Sequence, residues 1–107
     1  MSEWIEVCAT GDIDEEDLIR WDHDGRSFAI YNTEEGFFAT DGFCTHERQH
    51  LAEGLVTGTV IECPLHQGRF DIVTGKALRP PVRIALGTYP VKVEGDTVFI
   101  LLREGSG

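Results

Sequence analysis

Cys44-Thr45-His46 and Cys63-Pro64-Leu65-His66 constrain this chain more than any other feature, because sixteen residues separate them and one fold has to bring both to the same point. Each half supplies one thiolate and one imidazole from what reads as a loop tip. Thiolates are soft donors that suit iron–sulfur and zinc, whereas imidazole suits zinc, copper and iron. Structural zinc sites usually pair cysteine with cysteine and histidine with histidine, at C-x2-4-C and H-x3-5-H. Here each loop delivers a mixed pair, at C-x-H and at C-x2-H. Mixed pairs let each loop reach both ends of an elongated binuclear cluster, with both cysteines on one iron and both histidines on the other. Zinc is the competing metal at this point of the argument.

The rest of the sequence supports those loops with short strands cut by Gly, Asp and Asn turns, which predicts an all-β chain. Strands are expected at Trp4 to Ala9, Leu18 to Asp22, Ser27 to Asn32 and Phe37 to Thr40. Further strands are expected at Thr57 to Glu62, Arg69 to Ile72, Tyr89 to Val93 and Thr97 to Leu102. Asp24-Gly25 is a strong hairpin signal, and Glu94-Gly95-Asp96 closes a last hairpin. Asp12 to Ile19 is the one helix candidate, with Asp12 as its N-cap and an irregular acidic loop as the alternative. Antiparallel strands of this kind close into a sandwich or small barrel.

At 107 residues the chain is long enough for one compact domain with a modest core, and 41% hydrophobic residues can build that core. No apolar run approaches the ~20 residues that span a bilayer. The start, Met1-Ser2-Glu3-Trp4-Ile5-Glu6, has neither the basic patch and apolar stretch of a signal peptide nor a twin-arginine pair. The expectation is a soluble cytoplasmic protein. A net charge of −10 argues against nucleic acid and anionic membrane as partners; it reads either as a preference for basic or neutral docking surfaces or simply as solubility. Three cysteines make a poor disulfide framework. Cys8, in the first apolar stretch, reads as a small buried hydrophobe.

The stretch from Cys63 to Asp71, with Pro64 and Phe70-Asp71 at fixed places around His66, resembles the second cluster loop of Rieske proteins. Gly75, and Arg79-Pro80-Pro81 after it, resemble that family's proline loop. The likeness runs from about Ile5 to Leu102 and is nearest to the small Rieske ferredoxins of bacterial ring-hydroxylating dioxygenase systems. The resemblance implies a Rieske fold over residues 1–107, with a cluster-binding subdomain at about 42–82 inserted in the β base. That subdomain holds two ligand loops plus a proline loop. The resemblance also implies one Rieske-type 2Fe-2S cluster, with Cys44 and Cys63 on the inner iron and His46 and His66 on the outer. In the family the outer histidines bind through Nδ1 and leave Nε2 to solvent, where an electron partner docks. With two thiolates and neutral imidazoles the oxidised site is near zero charge and the reduced site near −1, which keeps reorganisation small.

Residues that are absent sharpen this reading. High-potential relatives carry a disulfide at the positions of Gln49 and Leu65, and hydroxyl donors to sulfur at the positions of Gly68 and Phe70. None of those groups is present here. A hydrogen bond to a charged group contributes about 1.5–3 kcal/mol, or roughly 65–130 mV for one electron. Losing two lowers the potential by up to ~250 mV on that arithmetic. Gly42, Gly54 and Gly68 read either as ordinary turn glycines or as points of close approach or unusual backbone angle.

Other residues near the loops take plainer readings. His50, four after His46, reads as a loop histidine, because four ligands are already supplied. His23 reads as an exposed turn residue. Glu47 and Arg48 belong to a docking rim or a solvated loop. Leu65, Pro80 and Pro81 form an apolar collar. Trp4, Trp21, Phe28, Phe38 and Phe99 read as core.

The expected function is that of a low-potential, monomeric one-electron carrier. It takes electrons from a flavin-dependent reductase and passes them to the Rieske centre of a terminal aromatic-ring oxygenase. The chain has no dinucleotide fingerprint and performs no bond chemistry of its own. The alternatives are a small Rieske-like subunit of a larger reductase, such as nitrite reductase, and a structural zinc module.

Overall fold

The computed structural model describes residues 2–45, 48–64, 67–80 and 82–103. Eleven strands among them build three antiparallel sheets. The first sheet joins β1 (Ser2–Ala9), β11 (Thr97–Arg103) and β10 (Val91–Glu94), in that order. The second runs β2 (Asp17–His23), β3 (Arg26–Thr33), β4 (Gly36–Asp41) and β9 (Thr88–Tyr89). The third is a meander of four short strands: β5 (Leu55–Thr57), β6 (Val60–Glu62), β7 (Arg69–Asp71) and β8 (Ala77–Arg79).

The second sheet is the middle layer, and the reason lies in β3. Side chains alternate across a strand, so a strand covered on both faces needs an unbroken apolar run. Phe28-Ala29-Ile30-Tyr31 is such a run, and all four residues are fully buried. Phe28 and Ile30 join Ala39, Val98, Ile100 and Leu102 in a core against the first sheet. Ala29 and Tyr31 join Val56, Ile61, Phe70 and Ile72 in a second core against the third sheet. The Tyr31 hydroxyl meets Thr40 Oγ1 at 2.8 Å, so its polar end is satisfied inside that core.

Turn chemistry sets the registers. Asp24 and Gly25 both take positive φ, 51° and 78°, and pair His23 with Arg26 across a two-residue hairpin. His23 therefore belongs to β2, half-buried with its ring stacked 5.1 Å from Trp21. The expected strand Thr57 to Glu62 is instead a hairpin, turning at Gly58-Thr59 between β5 and β6. Tyr89 to Val93 is likewise broken at Pro90, which has no N–H for a ladder. There the chain steps from the second sheet to the first, and the Pro90 carbonyl accepts from the Leu101 amide at 2.9 Å. No helix forms over Asp12 to Ile19. A 3-10 turn at Thr10–Asp12 takes its place, with Asp12 Oδ2 accepting from the Ala9 amide at 3.0 Å.

Only Phe28 of the five expected core aromatics is fully buried. Trp21, Phe38 and Phe99 are half-buried, and Trp4 is 39% exposed. In β11 the inward positions are Val98, Ile100 and Leu102, which puts Phe99 on the outer face. Lys92 Nζ covers that face, 4.6 Å from the Trp4 ring centre and 5.5 Å from that of Phe99. Among the described residues no helix is long and apolar enough to cross a membrane.

Candidate metal centre

The first loop leaves β4 at Asp41. The Gly42 amide donates to the Ser27 carbonyl at 3.0 Å, and the Leu51 amide returns to the Gly42 carbonyl at 2.7 Å. Between them the Cys44 amide donates to the Gln49 carbonyl at 2.9 Å. The second loop connects β6 to β7. Its Cys63 amide donates to the Gly68 carbonyl at 2.7 Å. Both loops are thus closed in one way, from the cysteine amide to a carbonyl five residues on. Cys44 (6% exposed) and Cys63 (0%) lie in the same apolar cluster, with Leu51 and Val82. His46 and His66 lie outside the described residues, as do Glu47, Leu65 and Pro81.

A third segment packs on both loops. Thr45 Oγ1 donates to the Ile84 carbonyl at 2.7 Å, which ties it to the first loop. At Gly68, a Cβ would stand 2.6 Å from Val82 Cγ1, so the segment touches the second loop where a side chain is missing. Gly42 and Gly54 are also points of close approach. A Cβ would meet His50 Nε2 at 2.5 Å in the one and the Glu62 carbonyl oxygen at 2.2 Å in the other. None of the three has positive φ, so space and not backbone angle selects glycine there. Val82 is buried and Pro80 exposed, so of the described residues it is Val82, not Pro80, that makes the apolar contact with the loops.

His50 has a larger role than a loop histidine. It is 5% exposed, and its Nδ1 accepts from the Ala52 amide at 3.0 Å. The ring proton therefore sits on Nε2, which donates to Ser27 Oγ at 2.8 Å. Ser27 Oγ in turn donates to Asp22 Oδ1 at 2.6 Å, and Arg20 Nε bonds the same oxygen at 3.0 Å. This chain straps the first loop to β2 and β3. Burial, and then the Arg20 charge, hold the His50 pKa below its ordinary value. The bond from Ser27, and then that from Arg20, hold the Asp22 carboxyl down.

A second strap joins the two ends of the inserted segment. The Asp41 amide donates to the Gly87 carbonyl at 2.9 Å, and the Gly87 amide returns to Asp41 Oδ2 at 3.0 Å. Tyr89 donates its hydroxyl proton to Asp41 Oδ1, and Arg26 bonds the Tyr89 oxygen at 3.1 Å. Sequence reasoning found the cysteines but missed Thr45, Val82 and both straps. Thr45 between two ligand candidates was a legible hint; its acceptor, 39 residues away, was not.

Two buried cysteines on matched loops suit a cluster with a thiolate end. The family described as the Rieske 2Fe-2S domain matches residues 3–90. The chain belongs to this family. The ferredoxin component of the naphthalene 1,2-dioxygenase system of Pseudomonas putida is 47% identical over 97 residues, covering 91% of this chain and 93% of that protein. A solved complex of reduced oxygenase and oxidised ferredoxin in carbazole 1,9a-dioxygenase contains a chain 36% identical, with a TM-score of 0.86 and 91% of each chain covered. A nitrite reductase small subunit from Mycobacterium tuberculosis shares the fold, with a TM-score of 0.84, 17% identity, and coverage of 96% of this chain and 97% of that one. This Rieske protein is a ferredoxin of the ring-hydroxylating dioxygenase kind. It is an electron-transfer protein whose cofactor is one 2Fe-2S cluster.

Proposed function

We propose that this Rieske ferredoxin shuttles single electrons from a flavin-dependent NAD(P)H reductase to the Rieske centre of a terminal aromatic-ring oxygenase, in the cytoplasm and as a monomer. Cys44 and Cys63 hold the inner iron, and His46 and His66 the outer. The chain is one Rieske unit over 1–107, and the cluster-binding subdomain spans about 42–82. The observation that carries this reading is the matched closure of two loops that bury Cys44 and Cys63 in one cluster. When bound, the cluster supplies the one-electron couple. The residues around it supply a rigid cradle: Thr45 and Val82 hold the third segment on the loops, and His50 holds the first loop on the sheet. A cradle strapped at this many points changes shape little between oxidation states, which suits fast transfer.

The test is anaerobic reconstitution. The purified protein is reduced by NADH through a flavin-dependent ferredoxin reductase and mixed with terminal oxygenases of the naphthalene, biphenyl and carbazole type. Stoichiometric electron delivery to at least one oxygenase, followed by EPR, is the expected result. Cys63→Ser abolishes the Rieske EPR signal. A colourless protein carrying one zinc, or a normal signal in Cys63→Ser, overturns the assignment.

A further inference from the structure

The net charge of −10 is very unevenly placed. The segment enclosed by the Asp41–Gly87 strap, residues 42–86, carries five of the nine basic residues and four of the nineteen acids. Two of those acids are engaged away from the loop tips. Glu62 pairs with Arg69 at 3.0 Å, and Asp71 Oδ1 accepts from the Val73 and Thr74 amides. The remaining fifteen acids lie outside the segment, with four bases.

Strand geometry shows where that acidity sits. β4 runs from the Glu34-Glu35 turn at one end to Asp41, where the first ligand loop begins, at the other. Six residues of strand put that turn about 20 Å from the loop. Glu15 and Glu16 line a surface hollow with Glu34, so the acidic loop after the 3-10 turn at Thr10–Asp12 shares the far end. Glu16 also accepts from the Gly58 amide, at the end of the third sheet opposite Cys63. Nearest the ligand loops, the base is less acidic: Asp22, Asp24 and Asp41 stand with Arg20 and Arg26, and the Asp41 carboxylate is held by the Gly87 amide and the Tyr89 hydroxyl.

At the tip itself the balance reverses. Arg48 lies on the first ligand loop, and Arg79 and Arg83 flank Val82 on the segment packed across both loops; all three are exposed. Two acids accompany them in the sequence: Glu47 on the first loop, and Glu53, exposed, on the 3-10 turn that ends it. Ile84, 69% exposed, follows Arg83 directly and is held by its carbonyl to Thr45 on the first loop. An apolar centre with a charged rim is the usual anatomy of a transient interface.

We infer that this carrier docks on an acidic patch of its terminal oxygenase, through a basic rim of Arg48, Arg79 and Arg83 around Ile84, with its own acidic end pointing away. The inference rests on the function proposed above and gives the chemistry of the partner surface, opposite to what net charge alone suggests. At ~0.1 M salt the Debye length is about 10 Å, so charges about 20 Å from the loops are largely screened while rim charges are not.

The experiment uses the full-length holo-protein, the double variant Arg48→Glu/Arg83→Glu and, as a control, Glu34→Lys/Glu35→Lys. Unchanged visible and EPR spectra establish that each variant holds its cluster. Stopped-flow measures transfer to the oxygenase that accepts the wild-type electron, and oxidation by anionic ferricyanide and by cationic hexaamminecobalt(III). Rim reversal is expected to slow transfer about tenfold at low salt, with the gap closing at high salt, and to shift the ferricyanide-to-cobalt rate ratio about tenfold toward cobalt. At ~0.1 M salt the far-end variant stays within about twofold on both readouts, as a Debye length of about 10 Å over that distance requires. A rim variant as fast as wild type or faster overturns the inference, as does a loss carried by the far-end variant. If no oxygenase accepts the wild-type electron, the functional reading falls. The small-oxidant ratio then decides the polarity of the cluster edge, and a ratio unmoved by rim reversal overturns it.

Discussion

Gly68 shows how one missing side chain serves two ends. High-potential relatives have a hydroxyl donor at this position, and its absence here removes a hydrogen bond to sulfur. The structure adds a steric reason: any Cβ at Gly68 runs into Val82, the residue that seats the third segment on the second loop. Gly68→Ala is therefore expected to destabilise the fold by about 1–3 kcal/mol, the cost of overpacking a tight site. The penalty should shrink in a Val82→Ala background, and chemical unfolding of the four proteins in a double-mutant cycle measures the coupling. Phe70, fully buried, lacks the second hydroxyl. With both donors gone, the midpoint potential should lie near the low end of the Rieske range, about −150 to +300 mV. A redox titration that returned a midpoint above about +100 mV would contradict this account.

At the scale of elements, the straps decide how firmly the loops are held. His50 joins the first ligand loop to β3 through Ser27, and its neutral form is required, because Nδ1 faces the Ala52 amide. Its pKa is lowered by burial first and by Arg20 second. The folded protein therefore binds fewer protons at this residue than the unfolded chain does. Its contribution to stability is fully present above the unfolded value, about 6.5, and is lost as pH falls from there through the lowered folded value. Unfolding of the holo-protein as a function of pH should show this as a loss of stability on the acid side. His50→Gln should flatten that slope relative to wild type while leaving the other histidines in place. The strand boundaries carry a related lesson. Gly58 and Pro90 each broke a strand expected to be continuous, because a two-residue turn and a missing N–H are local events that a hydrophobic run conceals.

Over the whole molecule, three sheets share one middle layer, and the ligand loops emerge where that layer meets the third sheet. The sequence by itself determined the all-β class, the hairpin at Asp24-Gly25 and the two loops that carry Cys44 and Cys63. These follow from residues acting within a few positions of one another: turn φ angles, period-two alternation and ligand spacing. It also set the net charge, but not its placement. Only the tertiary structure decided that Gly42, Gly54 and Gly68 are sites of close approach, since the groups they meet come from other segments. Only the tertiary structure put Trp4 and Phe99 on an outer face and His50 inside, because burial depends on which sheet covers which side of a strand. The same holds for the separation of a basic rim from an acidic far end. Charge sums along a chain are blind to direction, and it is the run of β4 from Gly36 to Asp41 that sets the two apart.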